Sequence, residues 1–195
     1  MDAKLKVLLR ELEQFGNDND ARNKEYLARM LNIAPEVGEF LVLLVRALKA
    51  KRVLEVGTSN GYSTLWLAYA VEPMRGTVTT LERSEFKIEM ARENFRRAGM
   101  EHVIDLRVGD AMDFLRTQAN DAFDFIFLDS DRKHYIAWWR DVHRVLKAGG
   151  VIVADNTLSH AAEIAPFLKI VRENSQYVTS VVPLGNGELV ALKQA

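Results

Sequence analysis

Five acidic residues close or directly follow five short apolar runs of this chain: Glu55, Glu82, Asp110, Asp129 and Asp155. If the runs are strands of one open sheet, the acids meet on its carboxyl rim, where ligands of such sheets bind. An acidic rim suits a cationic ligand. Asp129, Asp155 and Asn156 form a second group within the first, and all three offer hard oxygen donors. That set suits Mg²⁺, Mn²⁺ or Ca²⁺ and is wrong for a soft, thiolate-bound metal.

The segment Glu55-Val56-Gly57-Thr58-Ser59-Asn60-Gly61-Tyr62-Ser63 reads as a strand-to-helix loop whose glycines let the backbone approach a ligand at the helix N-terminus. It is not a P-loop, because Tyr62 stands where that motif needs lysine. It is not a dinucleotide fingerprint either, since Ser59 occupies the position of the second glycine. Glu82, twenty-five residues beyond Gly57, stands where a carboxylate can accept hydrogen bonds from both ribose hydroxyls. The ligand these features describe is a nucleoside without a polyphosphate.

The elements that must position these residues follow from periodicity. Val37, Phe40, Leu41, Leu44, Val45 and Leu48 keep helical spacing behind Pro35. Strands are expected at 52–56, 77–81, 103–108, 125–128 and 151–154, with helices at 63–71, 84–98, 111–117, 135–146 and 163–173. The 103–108 strand alternates apolar and polar, as an edge strand does; 125–128 and 151–154 are nearly continuous apolar runs suited to central parallel strands. Residues 177–182 and 188–192 flank Gly185-Asn186-Gly187 and read as a hairpin. The predicted fold is a doubly wound α/β sheet, mostly parallel, with a C-terminal antiparallel hairpin. An N-terminal helix is expected to end in a polar loop at 16–23.

With 195 residues, 48% of them hydrophobic, the chain is read as one domain over 1–195 with an N-terminal helical extension. A net charge of −1 provides no general attraction for nucleic acid or an anionic membrane. Cysteine is absent, which excludes disulfides and thiolate zinc sites, and the cytoplasm is the expected compartment. The apolar run 40–45 is far shorter than the roughly 20 residues of a membrane span.

These residues resemble the class I S-adenosylmethionine-dependent methyltransferases, and within them the catechol and caffeoyl-CoA type O-methyltransferases. The resemblance runs from Asn32-Ile33-Ala34-Pro35-Glu36 through Leu54-Glu55-Val56-Gly57, Gly61-Tyr62-Ser63, Leu81-Glu82, Gly109-Asp110-Ala111, Leu128-Asp129-Ser130-Asp131 and Ala154-Asp155-Asn156 to Gly185-Asn186-Gly187. It implies a Rossmann-like sheet of seven strands, a homodimer and two cofactors. S-adenosylmethionine would be bound by Glu55, Gly57, Thr58, Ser63, Glu82, Asp110, Ala111 and Asp129. A divalent metal, Mg²⁺ before Mn²⁺ or Ca²⁺, would be held by Asp129, Asp155 and Asn156. The implied reaction is methyl transfer to a hydroxyl of a catechol-like small molecule. Alternatives are O-methylation of a hydroxylated tRNA base and S-adenosylmethionine binding without catalysis.

One departure from the family bears on mechanism. Its members commonly carry lysine three residues after the first metal aspartate, where this chain has Arg132, followed by Lys133. Arginine does not give up its proton, so Lys133 becomes the candidate base, with Asp129 its catalytic partner. The 156–183 stretch looks shorter than in the plant enzymes, which implies a reduced substrate lid. At least one of Trp138 and Trp139 is expected to face the core, in a packing role rather than stacking on substrate, and His134, His143 and His160 stay outside the catalytic set.

Overall fold

Seven strands form one sheet in the computed structural model, which describes residues 1–195. They are β1 (Arg52–Val56), β2 (Thr77–Glu82), β3 (Ile104–Val108), β4 (Phe123–Leu128), β5 (Leu146–Ala154), β6 (Tyr177–Val182) and β7 (Glu188–Lys193). The spatial order is β3-β2-β1-β4-β5-β7-β6. β1 to β5 run parallel, and β7 lies antiparallel between β5 and β6. The doubly wound sheet with its antiparallel hairpin therefore forms as expected, with β3 at one edge. All six residues of β4 are buried, which is why that segment carries no alternation. β4 and β5 both start earlier than their apolar runs suggest: Leu146 pairs with Phe123 before a register shift brings Val151 opposite Phe125.

Helices cover both faces. α1 (Ala3–Arg22), α2 (Pro35–Ala47), α3 (Tyr62–Val71) and α4 (Glu85–Ala98) pack on one face, over a cluster of 26 buried residues that includes Leu41, Leu65 and Phe127. α5 (Ala111–Thr117), α6 (Tyr135–Val145) and α7 (Ala161–Glu173) cover the other, over 22 residues that include Leu54, Ile126 and Phe167. Truncating any of these side chains to alanine removes about 2–5 kcal/mol of stability. Ser84 caps α4 and Asp110 caps α5, each accepting a backbone N–H of the first turn. Gly99 closes α4 in a left-handed conformation.

The expected loop at 16–23 is instead the last part of α1, which runs unbroken to Arg22. The polar residues that suggested a loop have partners that favour the helix. Gln14 bonds Asp18 one turn on, and Asp20 accepts the backbone N–H groups of Met30 at 2.6 Å and Leu31 at 2.8 Å. Gly16 is buried against Asn32, whose side-chain amide donates to the Leu12 carbonyl at 3.0 Å. The polar face thus holds the 30–32 segment, which borders the cleft described next.

Candidate active site

The sheet order reverses between β1 and β4, and a cleft of about 590 Å³ opens there, beyond the carboxyl ends of the strands. Gly57 makes the cleft's floor possible. Its φ of +111° is a conformation that side chains avoid, and a Cβ there would lie 1.9 Å from the Asp129 carbonyl oxygen. The Asp129 amide in turn donates to the Val56 carbonyl at 3.0 Å, so the two loops are joined at the reversal point.

Glu55 is fully buried beneath this floor and accepts hydrogen bonds from Ser63 at 2.6 Å, from Thr80 at 2.5 Å and from Thr64. Burial pushes its pKa up to about 7, outweighing those three donors. Glu82 accepts the backbone N–H groups of Ser59 at 2.9 Å, Arg83 at 2.8 Å and Ser84 at 3.0 Å. Its carboxylate is thereby held at the cleft wall, tying the glycine loop to the end of β2. Asp110 caps α5 through the Met112 amide at 2.8 Å, and with Ala111 it borders the cleft. Thr58, bonded to Thr80 at 2.6 Å, lines the wall beside Gly57 and Ser63. Every residue expected to contact the nucleoside except Glu55 lines this one cleft, and Glu55 lies beneath it.

Asp129, Asp155 and Asn156 line its other end. Burial, together with the charges of Asp155 and Glu55, holds the Asp129 carboxyl well above its usual range; burial likewise raises Asp155. Asn156 sits at φ +69°, its amide group donating to Asp155 at 2.7 Å and its backbone N–H at 2.5 Å. No three acidic or histidine side chains already converge on one point. The half-buried Asp129, the buried Asp155 and an amide oxygen nevertheless fit a hard divalent cation, because the two carboxylates have no protein cation bonded to them.

Lys133 does not join this group. Its side chain is 76% exposed, with the ammonium 3.9 Å from Asp131 and outside the cleft lining, because the turn at Arg132–His134 directs it outward. The same turn carries Arg132 inward: it is buried, it lines the cleft, and its Nε donates to Glu163 at 3.1 Å. The base expected at Lys133 is therefore not placed to act on a ligand in the cleft. His134, stacked on Trp138, and His160 do line it, while His143 bonds the Tyr177 hydroxyl away from it. Trp138 packs in the core as expected and Trp139 against its edge.

Sequence reasoning missed two residues. Lys87, in the first turn of α4, borders the cleft, and burial lowers its pKa against the pull of Glu82, Asp20 and Asp129. Glu188, the first residue of β7, is fully buried; no N–H group or cation of the chain bonds either carboxylate oxygen, and its neighbour is the Asp155 carboxyl. Burial and the neighbouring Asp155 push its pKa up to about 11. A charged residue opening the apolar run Leu189-Val190-Ala191-Leu192 was the available signal.

The profile of the O-methyltransferase family matches residues 2–187. The chain belongs to that family. A catechol O-methyltransferase of Mycobacterium tuberculosis is 41% identical over 126 residues, which are 65% of this chain and 57% of that protein. One from Niastella koreensis is 35% identical over 148 residues, 74% of this chain and 63% of its own length. The matched part of this O-methyltransferase thus spans only about three fifths of those relatives. An O-methyltransferase from Bacillus cereus, solved in complex with SAH, superimposes with a TM-score of 0.81 at 28% identity, covering 100% of this chain and 92% of that one. No helix here is long and apolar enough to cross a membrane.

Proposed function

We propose that this O-methyltransferase moves the methyl group of S-adenosylmethionine to a hydroxyl oxygen of a small catechol-like acceptor, with a divalent cation at Asp129, Asp155 and Asn156. The observation that carries the reading is the joining of two acid-lined regions in one cleft: a nucleoside-sized wall at Gly57, Glu82 and Asp110, and a hard-donor set at Asp129, Asp155 and Asn156. Membership in the family and the SAH-bound relative support the donor; the two relatives named catechol O-methyltransferases support the acceptor.

In this reading Glu82 holds the ribose and Gly57 lets the methionyl part lie on the backbone. Glu55, Ser63 and Thr58 set the charge and polarity below it, and Asp110 with Ala111 borders the adenine. The acid rim favours the sulfonium cation, whose charge is lost as the methyl group leaves. A divalent cation supplies Lewis acidity that makes a neighbouring hydroxyl easier to ionise. Arg132 keeps a permanent positive charge at the acceptor end, oriented by Glu163, where it stabilises an oxyanion and takes no proton. Asp129 acts there as a cation ligand and as part of the electrostatic floor. A single domain, a homodimer and a cytoplasmic location complete the proposal.

The test is methyl transfer from labelled S-adenosylmethionine to a panel of catechols, monophenols and bulk tRNA, with Mg²⁺ and with EDTA. Transfer to catechols in Mg²⁺ alone is the expected result. Transfer to tRNA alone overturns the acceptor, and binding without transfer to any acceptor overturns the catalytic reading.

A further inference from the structure

β7 runs antiparallel to β5 with Val153 opposite Val190 and Ala154 opposite Leu189. Continued by one residue, this register sets Glu188 opposite Asp155, and the Thr157 amide, donating to the Gly187 carbonyl at 2.9 Å, shows that the two chains are still close beyond that point. Val153 and Val190 belong to the α1–α4 face of the sheet, and alternation returns Asp155 and Glu188 to the same face. Asp129 follows from Phe127 on β4 by the same step of two, since Phe127 is opposite Val153. Three adjacent strands, β4, β5 and β7, therefore bring one carboxylate each to the same corner of the sheet, Asp129 and Asp155 lining the cleft and Glu188 buried behind them.

Like charges directly opposite one another destabilise a sheet. Two ionised carboxylates would cost much here, because Glu188 is 0% exposed and no N–H group or cation of the chain bonds either of its oxygens, its neighbour being the Asp155 carboxyl. Arg132 acts through space on Asp129 and Asp155, and His160 on Asp155, but the guanidinium is bonded to Glu163 and no cation of the chain is bonded to Glu188. A proton held by the Glu188–Asp155 pair relieves this corner in the metal-free chain, and a cation bound from outside the chain relieves it in the proton's place.

We propose that Glu188 belongs to the cation site, as a third carboxylate that acts on the ion through Asp155. The inference rests on the divalent-cation reading above and extends it to a strand beyond the Asp129, Asp155 and Asn156 set. Since no three acids meet at one ligating point, Glu188 is a positioning residue: its carboxyl, opposite Asp155 in the register, holds that carboxylate in place and adds to the potential at the ion once the ion is bound.

The experiment is calorimetric titration of the purified chain with MnCl₂, for wild type, Glu188→Gln and Glu188→Leu, alongside circular dichroism and thermal melting without metal. Gln keeps the shape and removes the charge, so a purely structural role leaves Mn²⁺ affinity unmoved. The proposal expects affinity to fall at least about tenfold in both variants, within the range found when groups behind a metal ligand are removed. It also expects the Leu variant to melt no lower than wild type, since a buried carboxyl without an N–H or cationic partner gives way to an apolar side chain. Folded variants that bind Mn²⁺ within twofold of wild type overturn the role of Glu188 and leave the cation site standing. No Mn²⁺ binding by wild type overturns both. Should Glu188→Leu unfold the chain, the Gln variant alone decides.

Discussion

The Nε of Arg132 donates to Glu163 at 3.1 Å, while the ammonium of its neighbour Lys133 lies 3.9 Å from Asp131 on the surface. A short helical turn separates the two by pointing them to opposite sides. Arg132 therefore brings to the cleft a positive charge that does not titrate, and in the proposed reaction ionisation of the acceptor would fall to the cation. Lys133→Met is expected to change kcat by less than about threefold with an unaltered pH profile. Arg132→Met should lower kcat by roughly 10²-fold, the scale of losing one oxyanion-stabilising donor. Glu163→Gln should raise acceptor KM more than it lowers kcat. Steady-state kinetics across pH checks all three, and a large loss in Lys133→Met would restore the lysine as base.

Glu82 is expected to be the main hold on the donor's ribose. Charge-assisted hydrogen bonds contribute roughly 1.5–3 kcal/mol each, so Glu82→Ala should weaken S-adenosylmethionine binding by at least about tenfold. Because the same carboxylate receives the Ser59, Arg83 and Ser84 amides, a modest fall in thermal midpoint should accompany it. Calorimetry on folded protein separates the two effects; unchanged affinity would remove Glu82 from the site.

Gly57→Ala should be disabling. The new Cβ meets a backbone carbonyl that cannot rotate away, at a φ that costs a side chain more than about 1 kcal/mol by itself. We expect a loss of about 3 kcal/mol or more in urea denaturation, at the upper end of what a single strained backbone position costs, and no measurable donor binding. Near-native stability would show that the two loops part easily.

Removing divalent metal should abolish transfer and leave the fold intact, because the proposed ligands sit on a sheet whose core closes without them. EDTA is expected to eliminate activity with no large change in far-ultraviolet dichroism, and Mg²⁺ or Mn²⁺ to restore it. Asp155→Ala, active in EDTA as in Mg²⁺, would end the metal reading.

The pH dependence of stability follows from Glu55. Its pKa rises from 4.5 to about 7 on folding because burial disfavours the charged form, so the folded state binds the extra proton between those values. Its contribution to stability is full below pH 4.5 and is lost as pH rises through about 7, at no more than roughly 1.4 kcal/mol per pH unit. Melting curves of the metal-free chain across that interval should therefore decline more steeply for wild type than for Glu55→Gln. Parallel curves would mean that Glu55 does not titrate there.

By itself the sequence determined the order of strands and helices, the central position of 125–128, the hairpin, and the acids that reach the cleft. These depend on local quantities: apolar periodicity, capping residues, and the rule that residues just past parallel strands share one rim. Only the tertiary structure decided three others. The 16–22 segment is helical because Asp20 and Gly16 find partners ten and sixteen residues further on, which no local propensity contains. Arg132 turns in and Lys133 out because Glu163, on α7, takes the guanidinium, a choice between adjacent residues made thirty-one positions away. Glu188 faces Asp155 because an antiparallel register joins strands at positions thirty-three residues apart. Pairings of that length are set by how the sheet closes, and they place the charges on which the chemistry of this cleft depends.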